Sequence, residues 1–170
     1  PFYEPLCEGY KQRRKNLNNL IARCKKFGIK IILYINEPRC LDLDKFGDNK
    51  HLLGEIEGNA GALCISNKEV QDYLYNAVYD LLKDCPDLGG LKTITMSENL
   101  THCKSRLLGD QQTTCEKCKD IPAPQLASLV NNIVMKAIKD SGAKTELIAN
   151  LWGWSSSRGW TKEMIEQGIS

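Results

Sequence analysis

The chain has 170 residues, of which 42% are hydrophobic and 26% charged, and it carries a net charge of +2 at pH 7. That is the size of one ordinary domain with enough apolar material for a real core, so residues 1–170 are read as a single unit. No run of about 18 apolar residues offers a membrane span, no basic-then-apolar leader opens the sequence, and Lys11-Gln12-Arg13-Arg14-Lys15, the one basic cluster, lacks the interleaved aromatics of a nucleic-acid surface.

Helix and strand signals alternate along the chain. Leu17, Leu20, Ile21, Cys24 and Phe27 recur at helical spacing, and Gly28 supplies a stop. Ile29 to Ile35 is short, β-branched and mostly apolar, as expected of a buried strand. The polar stretch from Asn36 to about Gly61 is too long for a plain connector and reads as a functional loop. Ser66 and Glu69 have the spacing of a capping box, which predicts a helix whose apolar face is Val70, Leu74, Ala77, Val78 and Leu81. Cys85-Pro86 closes it, and Gly89-Gly90 turns the chain into a second strand, Leu91 to Met96. After a second long loop, Ser97 to Pro124, a third helix face runs through Leu126, Leu129, Val130, Ile133, Val134, Ala137 and Ile138 to Gly142. Glu146 to Trp152 is the third strand, and Thr161 to Gln167 begins a fourth helix.

Strands joined through crossover helices demand a parallel sheet. Long loops leave the carboxyl ends of these strands, where sites form in barrels and doubly wound sheets alike. No glycine-rich phosphate loop follows any strand, which favours a barrel. Three strands cannot close one, so the expected fold is a fragment of a (β/α)8 TIM barrel, with a free-standing three-stranded sheet as the alternative.

The three strands end in chemistry-bearing residues: Asn36-Glu37-Pro38-Arg39, Ser97-Glu98-Asn99 and Trp152-Gly153-Trp154. A carboxyl group flanked by indole rings is the chemistry of sugar sites. Apolar sugar faces stack on aromatics, and a poorly solvated carboxyl keeps its proton near neutral pH and can protonate a glycosidic oxygen. The alternative is that Glu98 pairs with Arg39 and the Trp residues pack the barrel end. Glu37 and Glu98 end sequential strands, about 5 Å apart if those strands pair. They could therefore act as nucleophile or base plus acid, and Arg39 could fork onto an acidic sugar.

These stretches resemble the family 20 glycoside hydrolases, the β-N-acetylhexosaminidases. Gly28 to Pro38 is similar to that family's G-I-x-V-I-P-E-I-D-x-P strand, Leu63 to Val70 to its L-C-P-S-N-P-E-x helix entry, and Cys85-Pro86-Asp87 to its F-P-D. Thr95-Met96-Ser97-Glu98-Asn99 falls where the family has G-G-D-E-V, and Ile148 to Trp152 resembles a later strand carrying a Trp. The resemblance covers about Leu20 to Trp154 and implies the third to fifth strands of the barrel. It implies exo-acting hydrolysis of a glycosidic bond with Glu98 as general acid, a sugar-pocket role for Trp152 and a carbohydrate substrate, with no cofactor required for the chemistry. Asn36, Arg39, Asn99, Trp152 and Trp154 are the candidate substrate contacts. Two departures stand out. Ser97 occupies the place of the catalytic Asp that orients the substrate acetamido group, and Arg39-Cys40 replaces a Gly-His pair. A carbohydrate-binding barrel without catalysis, and a zinc-stabilised interaction module, are the competing readings.

Eight cysteines are many for such a chain. His102, Cys103, Cys115 and Cys118 offer four ligands in one loop, the last two with a C-x-x-C bite suited to structural zinc. Zinc, a disulfide and free thiols all remain open for them. Asn99-Leu100-Thr101 is a glycosylation sequon beside Glu98, where a glycan would block a pocket. That fits a bacterial source and leaves the compartment open.

Overall fold

A computed structural model describes residues 9–36, 38–108 and 111–169. The first helix, α1 (Tyr10–Lys25), buries only Ile21 and lies on the outside. The basic cluster on its first turns is used locally: Arg14 pairs with Asp84 at 2.6 Å, and its guanidinium lies over the Tyr10 ring.

The heart of the molecule is a parallel sheet of β1 (Ile32–Ile35), β5 (Gly90–Ile94) and β6 (Glu146–Asn150), in the order β1-β5-β6. The register aligns Tyr34 with Lys92 and Lys92 with Ile148. Two long helices, α2 (Lys68–Asp84) and α3 (Ala123–Ser141), share one core with this sheet. Val70, Leu74, Val78 and Leu82 of α2 repeat every four residues, as do Leu126, Val130, Val134 and Ile138 of α3, and all are buried. Each such side chain contributes about 1.5–3 kcal/mol through burial. They pack with Leu33, Ile35, Leu91 and Leu147 from one face of the sheet. A buried hydrogen bond of 2.7 Å from Thr93 to Asn131 fixes α3 against β5. Because strand side chains alternate, Ile32, Tyr34, Lys92, Ile94, Ile148 and Asn150 lie on the opposite face, where Ile32 is 52% and Tyr34 49% exposed. The expected α/β class with a parallel sheet is therefore present.

Three local expectations are corrected. The stretch after β1 is not a simple loop. It contains β2 (Leu41–Asp42), a 3-10 segment (Leu43–Leu52), β3 (Leu53–Glu57) and β4 (Ala60–Leu63), which form a second, antiparallel sheet in the order β2-β4-β3. The cause is a two-residue turn at Gly58-Asn59, with Gly58 at φ +58, which lets Glu57 pair with Ala60. Helix α2 is capped by Asn67, not Ser66: the Asn67 side chain accepts from the Glu69 amide at 2.9 Å. The strands are also shorter than their apolar runs. β1 begins at Ile32 and β6 stops at Asn150, where the Asn150 side chain accepts from the Trp152 amide at 2.9 Å and turns the chain.

The last helix, α4 (Lys162–Ile169), closes a small separate core of Met96, Ala127, Trp154 and Trp160. Among the described residues no helix is long and apolar enough to cross a membrane.

Candidate functional site

Two places gather the residues with chemical potential. The first is the carboxyl edge of the parallel sheet. Ser97-Glu98-Asn99 leaves β5 between Asn36, which follows β1, and Trp152 to Trp154, which follow β6. The β5 and β6 ends are bound to each other: Trp154 Nε1 donates to Thr95 Oγ1 at 3.1 Å. Gly153, at φ +80, passes so close that a Cβ there would stand 2.2 Å from the Met96 carbonyl oxygen. Glu98 is exposed, and Trp152 is 62% exposed. Ser97 is buried, and its hydroxyl accepts from the Asn99 amide at 3.1 Å. Asn36 is half-buried and accepts from the Tyr34 hydroxyl at 2.8 Å, while Arg39 is exposed. Glu37 lies outside the described residues.

Trp154 is a correction to the set of sugar contacts. It is only 4% exposed and stacks on Trp160 with centroids 4.7 Å apart, so its ring belongs to the small core. The physical reason is Gly168: the Trp154 ring fills the space a side chain there would need, with a Cβ falling 2.5 Å from it. Trp152 is the indole left facing solvent at this edge.

The second place is a cluster of thiols. Cys64 follows β4. Cys103 sits in the turn after Glu98. Cys115 and Cys118 form a tight C-x-x-C turn in which the Cys118 amide donates to the Cys115 carbonyl at 2.9 Å. All four are buried, and their sulfurs lie within 4.8 Å of one another. The Cys64 sulfur is 3.7 Å from that of Cys115 and 3.6 Å from that of Cys118. These separations are far longer than the about 2.05 Å of a disulfide. They match the edge of about 3.8 Å expected for four sulfurs placed tetrahedrally at 2.3 Å around zinc. The four cysteines can therefore hold a metal ion.

His102 is the correction here. It does not join the cluster, and Cys64 takes the fourth place. The turn directs the His102 ring elsewhere: Nδ1 accepts from the Lys104 amide at 3.2 Å, so the ring proton sits on Nε2, which meets no partner at hydrogen-bond geometry among the described residues. Complete burial lowers the His102 pKa to about 4, with the nearby Cys118 and the Thr95 backbone pulling weakly the other way.

The surroundings are shaped for the sulfurs. A Cβ on Gly54 of β3 would lie 2.4 Å from Cys103 Sγ, so only glycine permits the sulfur to sit there. Ser66, released from capping α2, is 3.1 Å from Cys118 Sγ. Hydrogen bonds from Cys103 and Cys64 draw the Cys118 pKa down against its burial, with Ser66 adding to them. Cys103 is pushed up by its hydrogen bonds to Cys118 and Cys64 and by burial. One thiolate stabilised by neighbouring thiols is the arrangement from which a cation takes its first ligand. The loop is further tied to β3: the Glu55 carboxylate accepts from the Thr113 hydroxyl and from the Thr114 amide at 2.6 Å, and Arg106 pairs with Glu57 at 2.8 Å.

No family model, curated protein or solved structure matches this chain. The site is thus read from its own chemistry.

Proposed function

We propose that the parallel sheet is the central portion of a (β/α)8 barrel of the glycoside hydrolase kind, with Glu98 as the proton donor to a leaving glycosidic oxygen. The observation that carries this reading is the sidedness of the sheet. Helices cover one face, while the other presents Ile32, Tyr34 and Ile148 to solvent. Parallel sheets are stable when both faces are covered, and in a closed barrel the second face becomes the packed interior. The carboxyl edge of that sheet bears an exposed carboxylate and an exposed indole in the loops that leave two neighbouring strands, groups suited to a sugar site. In this reading Glu98 protonates the leaving oxygen, Trp152 stacks on a sugar face, and Asn36, Arg39 and Asn99 supply polar contacts. Glu37 serves as nucleophile or base. The chemistry needs no cofactor.

The burial of Ser97 favours a second reading, a carbohydrate-binding barrel without turnover. Its hydroxyl is spent on the Asn99 amide and carries no charge to stabilise an oxazolinium ion.

We also infer that the thiol cluster holds a structural zinc ion through Cys64, Cys103, Cys115 and Cys118. Support comes from the sulfur spacing and the Gly54 cradle. A zinc-stabilised interaction module with no sugar chemistry is the outcome if the sheet edge proves inert.

A panel of aryl glycosides assayed on the full-length protein tests the first reading. Hydrolysis that Glu98→Gln removes, with sugar binding retained, is the expected result. Unimpaired hydrolysis by Glu98→Gln rejects Glu98 as the acid, and binding without hydrolysis by the unaltered protein selects the second reading.

A further inference from the structure

We propose that metal occupancy of the thiol centre sets the conformation of residues 97–101, so that Glu98 is presented to its site only when the centre is loaded. The inference rests on the zinc reading above and adds what the zinc controls. Its basis is a hydrogen-bonded turn whose bonded residues flank Glu98 at one end and Cys103 at the other.

The turn is buried. Cys103, Thr101, His102 and Ser105 are each at most 1% exposed. Ser105 Oγ is the hub. It accepts from the Thr101 amide at 2.9 Å and donates to the Asn99 carbonyl at 3.1 Å or the His102 carbonyl at 2.9 Å. The Ser105 amide returns a bond to the His102 carbonyl at 3.0 Å. Thr101 Oγ1 donates to the Thr95 carbonyl at 3.0 Å, anchoring the turn to the end of β5. The Asn99 amide donates to Ser97 Oγ at 3.1 Å. Glu98 is the residue between these two bonded neighbours, so its backbone cannot move unless the turn does.

What holds the turn in place is the question the metal answers. The segment from the end of β5 to the start of α3 has no helix or strand among its described residues. It buries few large apolar side chains, and Leu108 is 48% exposed. Long loops of this kind are stable only when tied down. Outside the Ser97–Ser105 turn the segment is tied by the Glu55 and Arg106 contacts and by Lys117, which donates to the His51 carbonyl; within the turn the ties are Leu100 in the main core, the Thr101 bond to Thr95, Lys104 donating to the Lys119 carbonyl, and the Cys103 sulfur. On loading, a divalent cation replaces the protons of the thiols that are still protonated and releases them to solvent, leaving four thiolates on one ion. That joins Cys103 to β4 through Cys64 and to the C-x-x-C turn, in place of weak contacts between thiols. Ser105 then acts as a positioning residue, passing the fixed place of Cys103 to Asn99 and Thr101.

The experiment is amide hydrogen exchange on the full-length protein, with zinc alone added and with chelator, alongside zinc stoichiometry and the absorption of the cobalt-substituted protein. One zinc per chain, sulfur-to-cobalt charge-transfer absorption, and zinc-dependent slowing of exchange at 98–102 by on the order of tenfold are expected. Ser105→Ala should keep the metal stoichiometry and cobalt spectrum yet lose most of the zinc-dependent part of that slowing. A serine that merely stabilised the turn would change exchange equally with and without metal, and that result overturns the relay. Zinc uptake that protects 115–118 but leaves 98–102 unchanged in the unaltered protein overturns the inference and spares the zinc reading. No zinc uptake overturns both. The wild-type comparison decides the matter even if Ser105→Ala does not fold.

Discussion

The thiol centre and the carboxyl edge of the parallel sheet are built in opposite ways. At the thiol centre four side chains from three stretches of the chain converge in a buried space, each sulfur within 4.8 Å of the others, with Gly54 left bare to admit one of them. At the sheet edge Glu98 and Trp152 are exposed, and their neighbours Ser97 and Trp154 are turned inward to hold the backbone. A site whose ligands are already gathered and desolvated is complete in itself. A site whose groups stand in solvent on one edge of a half-covered sheet depends on what closes over them. The difference sets a gathered, desolvated group of ligands against groups that stand in solvent at the edge of a sheet.

The largest effect that could break this division is metal removal. If the thiol centre is the keystone of the loop, zinc a thousandfold above its dissociation constant adds about 4 kcal/mol to stability. For a chain of this size that raises the melting temperature by on the order of ten degrees. Calorimetry with zinc and with chelator measures it, and Cys118→Ser should abolish the difference. A melting temperature indifferent to chelator would make the two regions alike, both without a metal.

Acid probes the same division through His102. Its pKa is about 4 in the folded protein against about 6.5 unfolded. Between these values the unfolded chain binds the proton that the folded one refuses. Stability is therefore fully present above pH 6.5, falls as pH drops from 6.5 to 4, and loses nothing more from this group below 4. The 2.5-unit difference corresponds to about 3 kcal/mol. Denaturant melts of the chelated protein across that window should be flatter for His102→Asn. Equal slopes would show the ring to be solvated.

Parts of this layout are written locally in the sequence and parts are not. Helices α2 and α3 are legible because their apolar residues recur at four-residue spacing and because Cys85-Pro86 and Gly142 stop them. β5 and β6 follow from short β-branched runs entered from tight turns. The antiparallel sheet left one readable trace, the Gly58-Asn59 turn, hidden among polar residues that suggest a loop. The choice of Asn67 over Ser66 as cap is not local: two capping residues stand side by side, and Ser66 is drawn to Cys118. Cys64 is further from reach, since it lies 51 residues from Cys115 and meets it only after the hairpin has folded back. His102 misleads for the converse reason, because adjacency to Cys103 along the chain does not fix where a ring points. At the sheet edge, Ser97-Glu98-Asn99 and Trp152 are legible as strand ends, whereas the burial of Trp154 depends on Gly168 in a helix that packs later in the chain.

A smaller perturbation sharpens the comparison at the thiol centre. Gly54→Ala places a methyl group against Cys103 Sγ, and overpacking of this kind costs about 1–3 kcal/mol. The cost should appear in the zinc-loaded protein and shrink in the chelated one, where Cys103 is free to retreat. Thermal melts under both conditions separate the two. An equal penalty in each would mean that the methyl group meets backbone rather than the sulfur.

The smallest expected effect on stability belongs to Glu98→Gln. An exposed carboxylate replaced by its isosteric amide should change stability by no more than about 0.5 kcal/mol. The value of so small a number lies in its pairing with activity. A substitution that leaves the melting temperature where it was and removes hydrolysis isolates a chemical role, because no rearrangement of the fold remains to explain the loss. A substitution that shifts stability by several times that amount would show Glu98 bound into the turn that Ser105 and Thr101 organise. The carboxylate would then belong to the supported region of the molecule rather than to its open edge.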